Sequence, residues 1–153
     1  MAIWQYSFLV IPNVVFEKGN LRQFLDEDGV FDDESCWLME PIKTDFFNDI
    51  ERILPKNRSW SDEIVLFGNE DSNRFEVYKD ENENVVSVSF RIDYTSDYEE
   101  ILRSLVDFVS MNGLGILNER LELISNNFTT VKSHIEHSEH HHIYEKLKTK
   151  HDE

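Results

Sequence analysis

The sequence predicts an α+β fold: a two-layer domain with a mostly antiparallel sheet of about five strands, helices on one face and a C-terminal helix. Three observations predict it. Glu63–Gly68, Arg74–Lys79 and Val85–Asp93 read as strands, and the polar turns between them, Asn69–Asn73 and Asp80–Asn84, are short enough to force an antiparallel meander. Ile101, Leu102, Leu105, Phe108 and Val109 form a broad apolar stripe at helical spacing directly afterwards. With 153 residues, 40% of them apolar and 12% aromatic, the chain is long and hydrophobic enough for one real core.

The other elements follow in order. Residues 3–11 alternate, with Trp4, Tyr6, Phe8 and Val10 on one side and Gln5 and Ser7 on the other, so a strand opens the fold. Asn20 to Asp28 reads as a short helix presenting Leu21, Phe24 and Leu25. An acidic loop follows, with Cys36, Trp37, Leu38 and Met39 embedded in it. Thr44 to Leu54 reads as a second short helix. Thr44 is its expected N-cap, Phe46, Phe47, Ile50 and Leu54 lie at helical spacing, and Pro55 ends it.

In the third meander strand Val86, Val88, Phe90 and Ile92 alternate with Ser87, Ser89, Arg91 and Asp93. One face is therefore expected in the core and the other open to water, with Arg74, Glu76 and Tyr78 beside the polar row. Ser96 and Glu99 match a capping box at the start of the main helix, Asp97 and Glu100 suit its positive end, and Asn112–Gly113 is a stop signal. Residues 116–124 fit either period: Leu117, Leu121 and Leu123 alternate as in a strand, while Leu114, Leu117, Leu121 and Ile124 fit a helix. The strand is preferred. The tail from Thr129 to Lys148 reads as one helix with Val131, Ile135, Ile143 and Leu147 on its apolar side. Residues 1–126 are thus the expected core domain, and 127–153 a His-rich helix packed on it or extending from it.

Charge bounds the partners. The chain holds 31 Asp and Glu against 15 Lys and Arg, a formal net charge of -16. That disfavours nucleic acid and anionic membrane and favours a basic protein, as a monomer or a dimer. The single cysteine, Cys36, permits no internal disulfide, fits a reducing cytoplasm and reads as a small buried hydrophobe rather than a nucleophile. The first eleven residues lack a basic leader, and no apolar run approaches the roughly 20 residues of a membrane span. A cytoplasmic location is therefore expected.

Two clusters carry the candidate sites. Asp26, Glu27, Asp28, Asp32, Asp33 and Glu34 crowd one segment, and Trp60, Asp62 and Glu63 open a second acidic stretch that runs to Glu83. Acid in loops is ordinarily solvated surface. Acid beside an aromatic anchor also suits docking of a basic protein, the ring supplying contact energy and the charge steering encounter. Trp37 reads as core rather than anchor. All six histidines fall in the last twenty residues, and His134, His137 and His141 would share one face of a continuous helix. Imidazoles so placed suit zinc or nickel, adventitiously if at all, and also titrate near neutral pH. There is no HExxH, no cysteine pair, no phosphate-cradling glycine loop and no G-x-S-x-G elbow, so no cofactor is expected and catalysis is the minority reading.

Ile3–Ile11, the segment VVSVSFRIDY at 85–94 and the helix YEEILRSLVDFVSMNG at 98–113, taken together, resemble small cytoplasmic immunity proteins that accompany bacterial polymorphic or contact-dependent toxins. The likeness is one of element order and texture over residues 1–125, excludes the His-rich tail and carries over no binding residue. It implies a non-catalytic protein that binds a cognate toxin and blocks its active site, a basic one where the inhibitor is acidic. Two other readings stand beside it: a metal- or pH-responsive accessory protein using the tail histidines, and a small enzyme on the open sheet face built from Arg91, Asp93, Glu76 and Tyr78.

Overall fold

The alternating segments pair as their short connections require. The computed structural model describes residues 2–152, so Met1 and Glu153, the outer ends of the two spans expected above, lie outside the described residues. β1 (Gln5–Pro12), α1 (Val14–Lys18), a 3-10 helix at Leu21–Phe24, α2 (Asp33–Leu38) and a 3-10 helix at Thr44–Arg52 come first. β2 (Lys56–Asn57), β3 (Ile64–Gly68), β4 (Arg74–Lys79) and β5 (Val85–Asp93) follow, then α3 (Glu99–Met111). β6 (Leu114–Leu117), β7 (Leu123–Ile124), α4 (Phe128–Glu136) and α5 (Glu139–Asp152) complete the chain.

All neighbouring strands are antiparallel, in the order β2-β3-β4-β5-β1-β6-β7. The sheet has seven strands rather than about five. The additions are two-residue edge strands, β2 and β7, too short to show a period. Residues 116–124 are not one strand. Asn118 Oδ1 accepts the Arg120 and Glu122 N–H groups at 3.0 Å each, and Leu121 takes a φ of +60°, so the chain reverses between β6 and β7.

The register puts Phe8 opposite Phe90, Phe90 opposite Phe75 and Phe75 opposite Phe67. These rings form a continuous row on one face, with Phe8–Phe90 centroids 5.0 Å apart and Phe75–Phe90 centroids 6.3 Å apart. Leu102, Leu105, Val106 and Val109 of α3, Val131 and Ile135 of α4, and Phe47 and Ile50 cover that row. Trp37 also joins this core, as expected. Trp4 precedes β1 and is 41% exposed, so the expected buried face of the first strand begins at Tyr6.

The opposite face is not open to water as expected. Over β1 and β6, Ile11 and Leu117 pack with Val15, Phe24 and Cys36 into a second, smaller cluster. Over β4 and β5, Glu76, Arg91 and Asp93 are buried. Arg91 donates to the carbonyl oxygens of Glu70 and Ser72, and Asp93 Oδ2 accepts from Ser72 Oγ at 3.1 Å. Asn73 Oδ1 takes the Asp93 N–H at 2.7 Å. The polar row therefore ties the 69–73 turn down across the strands. Gly68 makes that turn possible: its φ is +91°, and a Cβ there would run into the Asn73 carbonyl.

Helix ends depart from the motif reading wherever tertiary partners compete. Cys36 and Trp37 lie in α2 rather than a loop. Asp32 caps it, accepting the Ser35 N–H at 3.2 Å and the Ser35 hydroxyl at 2.6 Å, and those bonds hold its carboxyl below its ordinary range. Thr44 is not an N-cap; its hydroxyl donates to Glu83 at 3.0 Å. Ser96 caps nothing either. Its hydroxyl donates to the Asp93 carbonyl at 2.6 Å and accepts from Asn73, while α3 starts at Glu99 without a side-chain cap. The Asn112–Gly113 stop is present, Gly113 having a φ of +70°. The tail is two helices, broken at His137–Ser138.

Candidate functional site

Strand register brings Asp33 and the start of the second acidic stretch to one end of the sheet. Asp26 Oδ1 accepts the N–H groups of Asp28 and Val30 at 2.8 Å each, closing a turn that leaves Asp26, Glu27 and Asp28 exposed. Asp32 caps α2, Glu34 is exposed, and Asp33 accepts a hydrogen bond from the Ser87 hydroxyl on β5. Ser87 pairs with Tyr78, and Tyr78 with Ile64, the residue after Glu63. Ser87 and Ile64 are two strand spacings apart, roughly 10 Å. Asp33 and Glu63, far apart in sequence, therefore occupy the same end of the sheet.

That end is concave. Asp62, Glu63, Asp80, Glu81 and Glu83 line a hollow of about 610 Å³, with Lys79 as the cation among the lining residues. The Asn84 side chain and backbone hold the Asp80 carboxyl below its ordinary range, and Lys79 does the same to Glu83. Both stay charged through mild acidification. Trp60 is 73% exposed, and its backbone N–H donates to Glu70 Oε1 at 3.2 Å. Val30 stands out within the 26–34 segment, and Leu38, 68% exposed, stands out just after it. Asp62 and Glu63, singled out from the sequence, line the hollow, whereas Trp60 does not; Asp80, Glu81 and Glu83, read only as the far end of the same acidic stretch, lie beside them. The signal was the β4–β5 hairpin, whose tip falls next to the start of β3.

The tail histidines are only partly gathered. His134 and His137 line a cleft of about 340 Å³ with Glu119, Glu122, Glu139 and His140. His141 is elsewhere: its ring lies 4.9 Å from that of Tyr94, and its Nε2 is 4.0 Å from Glu145. The break at His137–Ser138 resets the helical phase and takes His141 away from His134 and His137. His140, which the spacing argument passed over, lies in the cleft with Nε2 3.4 Å from Glu119 Oε2. As the side chains stand, no three His, Cys, Asp or Glu among the described residues are gathered to hold an ion.

Two further candidates are spent on structure. Arg91, Asp93 and Glu76, the proposed enzyme group with Tyr78, hold the 69–73 turn or pair with Arg74. Cys36 is buried, and burial, then Asp33 and Asp32, push its thiol up to about 12. The expected result is that a disulfide reagent at mildly alkaline pH leaves folded Cys36 untouched and labels it fully in denaturant. Rapid labelling without denaturant would show the α2 site to be open.

No family model, curated protein or solved structure matches this chain. Among the described residues no helix is long and apolar enough to cross a membrane.

Proposed function

We propose that this chain is a non-catalytic binding protein that docks a basic protein on the acidic end of its sheet. The observation that carries the reading is a hollow edged by Asp62, Glu63, Asp80, Glu81 and Glu83, at the same end of the sheet as Asp33, with Trp60 exposed two residues before Asp62. Carboxylates so placed attract a cationic surface at long range and repel an anionic one, while Trp60, Val30 and Leu38 offer apolar area once the surfaces meet. Inhibition of a basic toxin by an immunity protein in the cytoplasm is the form of this function that best fits the chain's element order and charge.

The test is binding to purified basic toxin domains, beginning with any encoded beside this chain. Neutralising the hollow with Asp62→Asn, Glu63→Gln, Asp80→Asn and Glu81→Gln together is expected to weaken binding at least about tenfold, chiefly through slower association. Trp60→Ala is expected to cost about 2 kcal/mol of binding, chiefly through faster dissociation. Full affinity in both variants would remove the acidic end from the interface.

A further inference from the structure

The cleft at the α4–α5 junction supports an inference independent of the acidic sheet end. His134 and His137 stand three residues apart in the last turn and at the C-cap of α4, so they share a helix face. Glu139 and His140 enter the same cleft from the first turn of α5. His137 Nδ1 lies 2.8 Å from the Ser133 carbonyl oxygen. A carbonyl can only accept, so Nδ1 carries a proton, and in the neutral ring Nε2 is the nitrogen left with a lone pair. A backbone carbonyl fixes a metal-ligating imidazole in the same way. His140 Nδ1 is buried without a hydrogen-bond partner, while Nε2 of the same ring faces Glu119. With Nε2–H donated to that carboxylate, Nδ1 is a second bare nitrogen, buried behind the cleft surface.

The volume of about 340 Å³ leaves the side chains room to turn inward. Glu119, Glu122 and Glu139 outnumber Arg120 among the lining residues, so the local field favours a cation. Imidazole mixed with carboxylate suits ions of borderline softness and gives magnesium or calcium no advantage.

We propose that this cleft takes up one divalent transition-metal ion of the zinc or nickel class. His134 and His137 would bind it through nitrogen and Glu139 through a carboxylate oxygen, which fixes the α4–α5 junction. The ion gathers side chains that now stand apart. The donor set differs from the one the spacing suggested, because His141 packs on Tyr94 instead.

The test is calorimetry on the full chain with zinc chloride, nickel chloride and magnesium chloride at neutral pH, the fold of each variant being checked by circular dichroism. Zinc and nickel are expected to bind one per chain, and magnesium not at all. His134→Gln with His137→Gln is expected to weaken zinc binding more than about tenfold, and Glu139→Gln by a smaller factor. His142→Gln, which removes an exposed histidine outside the cleft, is expected to change nothing. Absence of zinc binding, or equal loss in the His142 variant, would overturn the proposal, as would several weak sites indifferent to His134 and His137. Toxin binding measured with a chelator present reports on the acidic end separately.

Discussion

Phe75→Ala is expected to destabilise the protein by about 3–5 kcal/mol, a large part of the stability of an ordinary domain. Phe75 is fully buried at the crossing of two rows of contacts. Its ring stacks on Phe90 across the sheet at 6.3 Å and meets Phe67 at 6.3 Å. It also receives Phe47, from the 3-10 helix over the sheet, at 5.7 Å. Truncation leaves a cavity that aromatic neighbours on three sides cannot collapse to fill. Equilibrium urea unfolding checks the value, and a cost below about 1.5 kcal/mol would mean that the row repacks.

The second large effect is electrostatic. Glu76→Gln is expected to cost about 3 kcal/mol. Glu76 is 3% exposed, and its Oε1 lies 3.1 Å from Arg74 Nε. The register sets Arg74 directly opposite Arg91, two like charges on neighbouring strands. Arg91 already feels this, since burial and then Arg74 lower its affinity for its proton while Glu76 acts the other way. Without the carboxylate the two guanidiniums face each other across β4 and β5. The figure stays at the low end for a broken buried pair because the Arg74 side chain is 27% exposed and partly screened. Restoring a neutral pair with Glu76→Met and Arg74→Leu should recover part of the loss. A cost under about 1 kcal/mol for Glu76→Gln alone would show that water reaches the pair.

What the sequence disclosed divides along physical lines. The meander and α3 were legible because each is long enough to repeat its own period: Val88, Phe90 and Ile92 alternate over nine residues of β5, and α3 carries its stripe over thirteen. β2 and β7 were not legible, since two residues have no period. The capping signals at Thr44 and Ser96 misled because each hydroxyl has a better tertiary partner, Glu83 or the Asp93 carbonyl. The polar face of β5 was misread because alternation tells which residues share a face, not what covers it. Here a turn rich in carbonyl oxygens covers Arg91.

The candidate sites follow the same division. The acids were visible as clusters, yet the approach of Asp80, Glu81 and Glu83 to Glu63, and of Asp33 to the same sheet end, depends on the β3–β4–β5 register. The histidines were visible as a cluster too, but the helical arithmetic assumed one continuous helix. The Ser138 hydroxyl donates to the Ile135 carbonyl at 2.7 Å and accepts the His141 N–H at 3.0 Å, so it ends one helix and starts the next. That exchange separates His141 from His134 and His137 and brings His140 in.

The central claim is that a basic partner meets the acidic sheet end. Amide chemical-shift mapping during titration with such a partner tests it most directly. Perturbations are expected to concentrate at residues 26–34, 60–63 and 80–83, with affinity falling steeply between about 0.05 M and about 0.5 M salt as screening shortens the reach of the carboxylates. Perturbations confined to the α4–α5 junction, or an affinity indifferent to salt, would contradict it.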